Sequence, residues 1–106
     1  METLKILLVD DEVDCLETMG AIIQVWGYRV IKASSGKDAL DALISGNPDI
    51  IILDYMMPGM DGVATLTEIR KINKEIPVIM FTAHPDIKSI KAARDLNVSV
   101  YTPKLS

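Results

Sequence analysis

The sequence predicts an α/β domain, a three-layer sandwich in which helices cover a central parallel β-sheet. Apolar runs without alternation, at residues 6–9 and 50–53, are typical of strands buried on both faces. Between such runs, apolar residues recur at every third or fourth position, which predicts helices. Strands that alternate with helices in this way form parallel sheets with right-handed crossovers.

The first half of the chain contains three predicted strands, at residues 4–9, 28–33 and 49–53, and two helices between them. The first helix carries an apolar stripe and stops at Gly27, a residue suited to the left-handed position after a helix. The second helix opens at Ser35, with Asp38 three residues later as in a capping box. It ends at the Gly-Asn-Pro sequence of residues 46–48.

The second half repeats the alternation of strands and helices. A loop rich in glycine and proline is predicted at residues 55–62, and the apolar stripe of Val63, Leu66, Ile69 and Ile72 predicts the third helix. A strand at 77–82, a helix at 86–96 and a strand at 98–102 follow. The sheet therefore has five predicted strands.

Length and charge limit the possible functions. The chain has 106 residues, enough for one domain, predicted over residues 1–106, and too few for two. Its net charge of −4 opposes direct nucleic-acid binding. The apolar stretches are far shorter than a membrane span, and Cys15 has no cysteine with which to form a disulfide. We therefore expect a cytoplasmic protein.

Carboxylates follow the strands at the edge where ligands bind in sheets of this kind. Asp10 and Asp11 follow the first strand, and Asp54 follows the third. Acids after a strand are often only solvated loop residues, but three of them at one edge repel one another and favour a cation. Oxygen ligands favour Mg²⁺, and Thr82 and Lys104 at the same edge could donate hydrogen bonds to a phosphoryl group.

Other phosphate sites lack essential parts in this sequence. No GxxxxGK[ST] loop and no GxGxxG motif follows the first strand, which argues against nucleotide-binding sites of both kinds. A phosphatase with an aspartate nucleophile would need a second aspartate two residues later as the general acid. Met56 occupies that position, and a thioether cannot transfer protons.

Four motifs together resemble the receiver domains of two-component response regulators. They are VDDE at 9–12, LDYMMPGMDG at 53–62, FTA at 81–83, and Tyr101 with Lys104. The match runs in order along nearly the whole chain. The resemblance implies a flavodoxin-like sheet with the strand order 2-1-3-4-5.

The resemblance also implies a signalling switch and not an enzyme in the ordinary sense. Asp54 would accept a phosphoryl group from a histidine kinase or a small phosphodonor. Mg²⁺ would be bound by Asp10, Asp11, Asp54 and the backbone carbonyl of Met56. Thr82 and Lys104 would hold the phosphoryl oxygens, and Thr82 and Tyr101 would act as the switch that alters the surface of the fourth and fifth strands.

Two features depart from the family pattern. Proline precedes Lys104 as Pro103, whereas the family usually has it after the lysine. Only Leu105 and Ser106 follow Lys104, where the family's last helix would begin. We therefore expect apolar residues of the first and fifth strands and of the first helix to form an exposed patch. A second copy, an exchanged element or further sequence would cover it.

Three functions remain open at this point. The first is a phosphorylatable receiver domain that signals to a downstream effector or to an output region. The second is a receiver-like module that binds partner proteins without being phosphorylated. The third is a small Mg²⁺-dependent phosphohydrolase.

Overall fold

The computed structural model describes residues 3–54, 62–82 and 100–103; of residues 62, 81, 82 and 100–103 it describes the backbone. Strands and helices alternate as predicted. The strands are β1 (Lys5–Val9), β2 (Arg29–Ala33), β3 (Ile50–Asp54), β4 (Val78–Thr82) and β5 (Val100–Pro103). The helices are α1 (Val13–Val25), α2 (Gly36–Gly46) and α3 (Gly62–Ile72). The predicted loop at 55–62, apart from Gly62, and the predicted helix at 86–96 lie outside the described residues.

All five strands pair in parallel in the order β2-β1-β3-β4-β5. The predicted sheet and its strand order are therefore confirmed. The chain runs from β1 outwards to β2 and then returns to β3 on the other side of β1. Strand order reverses between β1 and β3, and ligands bind at such a point in open α/β sheets.

The two faces of the sheet have separate hydrophobic cores because successive residues of a strand point to opposite faces. Leu7 and Val9 of β1 belong to a large cluster with residues of α2 and α3, such as Leu43 and Ile69. The alternate residues of β1 belong to a smaller cluster with residues of α1: Ile6, Leu8, Leu16 and Ile23. The α1 helix therefore lies on the face opposite to α2 and α3.

Local signals end the helices where the sequence predicts. Gly27 follows α1 with a φ of +98°, and Asn47 follows α2 with a φ of 50°. Ser35 caps α2, since its hydroxyl accepts a hydrogen bond from the Asp38 amide at 3.1 Å. The Asp38 carboxylate accepts a bond from the Ser34 hydroxyl at 3.4 Å. The cap is thus formed by serine, as expected, while the aspartate bonds to a neighbouring side chain.

The connection between α3 and β4 is held by two polar side chains. The Asn73 carboxamide oxygen accepts hydrogen bonds from the amides of Glu75 and Ile76 at 2.9 and 3.0 Å. The Arg70 guanidinium donates to the Ile76 carbonyl at 2.7 Å. Burial lowers the pKa of this guanidinium, but an arginine stays charged at neutral pH. These bonds fix the point at which the chain enters β4.

The expected apolar patch is present on α1, but its predicted extent was wrong for β1. Ile6 and Leu8 are buried, because α1 packs over β1 and β2. Exposed apolar side chains lie instead on α1, where Trp26 is 69% exposed and Ile22 is 45% exposed. A groove of about 260 Å³ runs beside this helix and is lined by Met19, Ile22, Ile23, Trp26 and Ile52. The β5 side chains lie outside the described set.

Candidate magnesium and phosphoacceptor site

Parallel pairing brings the predicted acidic residues together. Val9 and Leu53 are register partners in the neighbouring strands β1 and β3. Asp10 and Asp54 each come one residue later, so both reach the carboxyl edge of the sheet at its centre. Asp11 is the next residue after Asp10. The convergence expected from the sequence is therefore observed.

The three carboxylates form a compact cluster. One oxygen each from Asp10, Asp11 and Asp54 can be chosen so that all three lie within 4.8 Å of one another. Asp10 is fully buried, Asp54 is 3% exposed, and Asp11 is partly exposed. The two deeper acids form the floor of the site, and Asp11 lies nearer to solvent.

The backbone of the turn between β1 and α1 holds Asp10 in place. Its amide donates to the Ala33 carbonyl of β2 at 3.1 Å, so the turn stays anchored to the edge strand. One of its carboxylate oxygens accepts a hydrogen bond from the Glu12 amide at 2.9 Å. The contacts of Asp10 with the Ala33 carbonyl and the Glu12 amide were not predicted. Both partners are backbone groups, and every residue type except proline carries the same ones.

This arrangement fits a hard divalent cation. Carboxylates confined to such a volume repel one another, and burial makes the repulsion stronger because less water screens it. Mg²⁺ prefers oxygen ligands and usually keeps several water molecules, so a small group of carboxylates at an open edge suits it. The donor set at this edge consists of oxygen atoms, with no described histidine or cysteine among its members.

The remaining predicted site residues are described in part or not at all. Thr82 ends β4, one residue after the register partner of Asp54, so its backbone reaches the same edge. Tyr101 lies in β5 opposite Met80. Met56, whose backbone carbonyl is a predicted ligand, and Lys104 lie outside the described residues.

A polar recess of about 400 Å³ lies where β1 and β2 begin, lined by Thr3, Lys5, Arg29, Asn47 and Asp49. Its groups join β1 to the connection before β3. The Lys5 amide donates to the Asp49 carboxylate, and the Lys5 ammonium donates to the Gly46 carbonyl, both at 2.8 Å. These contacts connect β1 to the segment before β3 and give the recess a structural role. The recess lies at the edge of the sheet opposite to the acidic cluster.

Across the described ranges, none of the helices combines the length and the apolar character needed to cross a bilayer.

Comparison with known proteins assigns the chain to a family. The family described as "Response regulator receiver domain" matches residues 6–105. The chain is 32% identical to the sporulation initiation phosphotransferase F of Bacillus subtilis (strain 168) over 100 residues, which are 94% of this chain and 81% of that protein. It is 36% identical over 88 residues to the transcriptional regulatory protein ZraR of Escherichia coli (strain K12). That match covers 83% of this chain and 20% of ZraR.

Solved structures give the same result for the fold. The response regulator protein TrrA of Thermotoga maritima, solved in complex with Mg(2+)-BeF, superposes with a TM-score of 0.88 at 35% identity. The match covers 97% of this chain and 88% of that chain. For several curated relatives, in contrast, the chain spans only 20% to 44% of their length. Sequence, strand order and acidic cluster agree, and the chain belongs to the family of response regulator receiver domains.

Proposed function

We propose that this receiver domain is a phosphoacceptor switch and that Asp54 is the residue that takes the phosphoryl group. The observation that carries the proposal is the cluster of Asp10, Asp11 and Asp54 within 4.8 Å at the point where strand order reverses. Asp54 ends the central strand β3 and is almost completely buried. A carboxylate held in this way is a fixed nucleophile beside two further acids.

The proposed reaction is transfer of a phosphoryl group from a phosphohistidine of a kinase. An oxygen of Asp54 forms a bond to phosphorus, and the bond between phosphorus and the imidazole nitrogen breaks. The electron pair of that bond stays on the imidazole nitrogen. The ring leaves as neutral imidazole, either because its other nitrogen already carries a proton or because the departing nitrogen takes a proton from solvent. The product is an acyl phosphate on Asp54.

Mg²⁺ fits this site, and we propose Asp10, Asp11, Asp54 and the Met56 carbonyl as its protein ligands. The cation would offset the negative charge of the acids and of the incoming phosphoryl group. The TrrA structure in complex with Mg(2+)-BeF supports the choice of metal for a similar chain. Asp10 is held for this role by the Glu12 amide, which orients its carboxylate.

The signal would follow from a population shift. A phosphoryl group on Asp54 adds negative charge and hydrogen-bond acceptors, to which Thr82 and Lys104 would donate. Thr82 and Tyr101 are the proposed switch residues, since they belong to the adjacent strands β4 and β5. The surface of these two strands would thereby change its preferred arrangement for a downstream partner.

Met56 and His84 are proposed to set the lifetime of the phosphorylated state. The resemblance to receiver domains implies that these two positions face the water that attacks the acyl phosphate. An apolar Met56 would slow hydrolysis, so Met56→Asn is expected to shorten the lifetime. Decay of the phosphorylated protein, followed for the wild type and this variant, tests the idea, and equal rates would contradict it.

The proposed partners are a histidine kinase and a downstream effector. The effector is either another protein or an output region of a longer polypeptide, in line with the much greater length of ZraR, which is named as a transcriptional regulatory protein. We propose the cytoplasm as the location. Two ways of covering the apolar patch stay predictions. One is self-association, either direct or through an exchanged element, and the other is coverage by further sequence.

The decisive experiment uses Mg²⁺ and acetyl phosphate with intact-mass detection. The wild type is expected to gain one phosphoryl group, transiently and only with Mg²⁺, and Asp54→Asn is expected to gain none. Asp41→Asn is the matched control, since Asp41 is an exposed acid on α2 and the substitution changes the net charge equally. This control should be phosphorylated like the wild type.

Each other outcome of that experiment supports a different function. If no phosphoryl group attaches to the wild type, from acetyl phosphate or from a phosphorylated kinase, the chain acts as an interaction module. If phosphate is released continuously from added substrates, the chain is a phosphohydrolase. Persistent labelling of Asp54→Asn would show that another residue is the acceptor.

A further inference from the structure

We draw no further inference here: the strongest candidate, the apolar groove beside α1 lined by Met19, Ile22, Ile23, Trp26 and Ile52, carries none because nothing in the structure shows what covers it.

Discussion

Neutralising one acid of the cluster should stabilise the protein when no metal is present. In Asp54→Asn the shape of the side chain is kept while one charge within 4.8 Å of two others is removed. At that distance, and with an effective dielectric constant of about 20, each pair of full charges repels by about 3.5 kcal/mol. Counterions and the exposure of Asp11 relieve most of this energy. We therefore expect a net gain in unfolding free energy of about 1–3 kcal/mol.

The assay is thermal unfolding of the wild type, Asp54→Asn and the control Asp41→Asn, each in EDTA and in Mg²⁺. In EDTA, Asp54→Asn should melt at least about 4 °C above the wild type, whereas Asp41→Asn should match the wild type. Mg²⁺ at a hundred times its dissociation constant should stabilise the wild type by about 2.7 kcal/mol and the Asp54 variant by less. Equal stability of the wild type and Asp54→Asn in EDTA would show that the three carboxylates do not destabilise the fold.

Substitutions at three further positions, with their controls, test the helix ends and the apolar groove. Gly27→Ala should lower the unfolding free energy by about 1–2 kcal/mol in urea denaturation, because the φ angle of Gly27 is +98°. An unchanged urea midpoint would contradict the left-handed conformation of this residue. Ser35→Ala should cost about 1 kcal/mol through loss of the α2 cap, while Ser35→Thr should keep most of the stability. Trp26→Gln should reduce binding of a hydrophobic dye, and any self-association in sedimentation, more than Ile44→Gln does. Both residues are 69% exposed, but only Trp26 lines the groove, so equal effects would show that the groove is not the main apolar surface.

The strands nearest the centre of the sheet were the most predictable from the sequence. Burial on both faces requires unbroken apolar runs, and such runs make up most of β1 and β3, at residues 6–9 and 50–53. The apolar pattern of β2 is interrupted by Arg29 and Lys32, and the physical reason is that this strand lies at the edge of the sheet. Lys32 forms an exposed ion pair there with Glu17 of α1, at 3.0 Å. The alkyl chain of Lys32 lies so close to Gly20 that a larger residue at position 20 would displace the lysine side chain.

Other features depended on tertiary contacts and could not be predicted. β3 extends one residue further than expected, to Asp54, because this residue pairs with Phe81 of the neighbouring strand. The unbroken apolar run of β1 predicts burial on both faces, but periodicity does not reveal that α1 is the helix that covers Ile6 and Leu8. The cluster itself was predictable, since Asp10 and Asp54 follow runs whose ends meet at one edge. The backbone groups that orient Asp10 were not.

The alternation of β1 couples the chemistry of the site to the packing of both cores. Inserting or deleting a single residue within β1 would exchange the side chains that the strand presents to the two faces of the sheet. Asp10, which follows β1, would then turn away from Asp54. The two defects would arise together, so a register shift in this strand cannot disrupt the acidic cluster while sparing stability. The acidic site can therefore change without loss of the fold only when individual side chains are replaced. Changes in chain length are confined to the turns that connect the strands and helices.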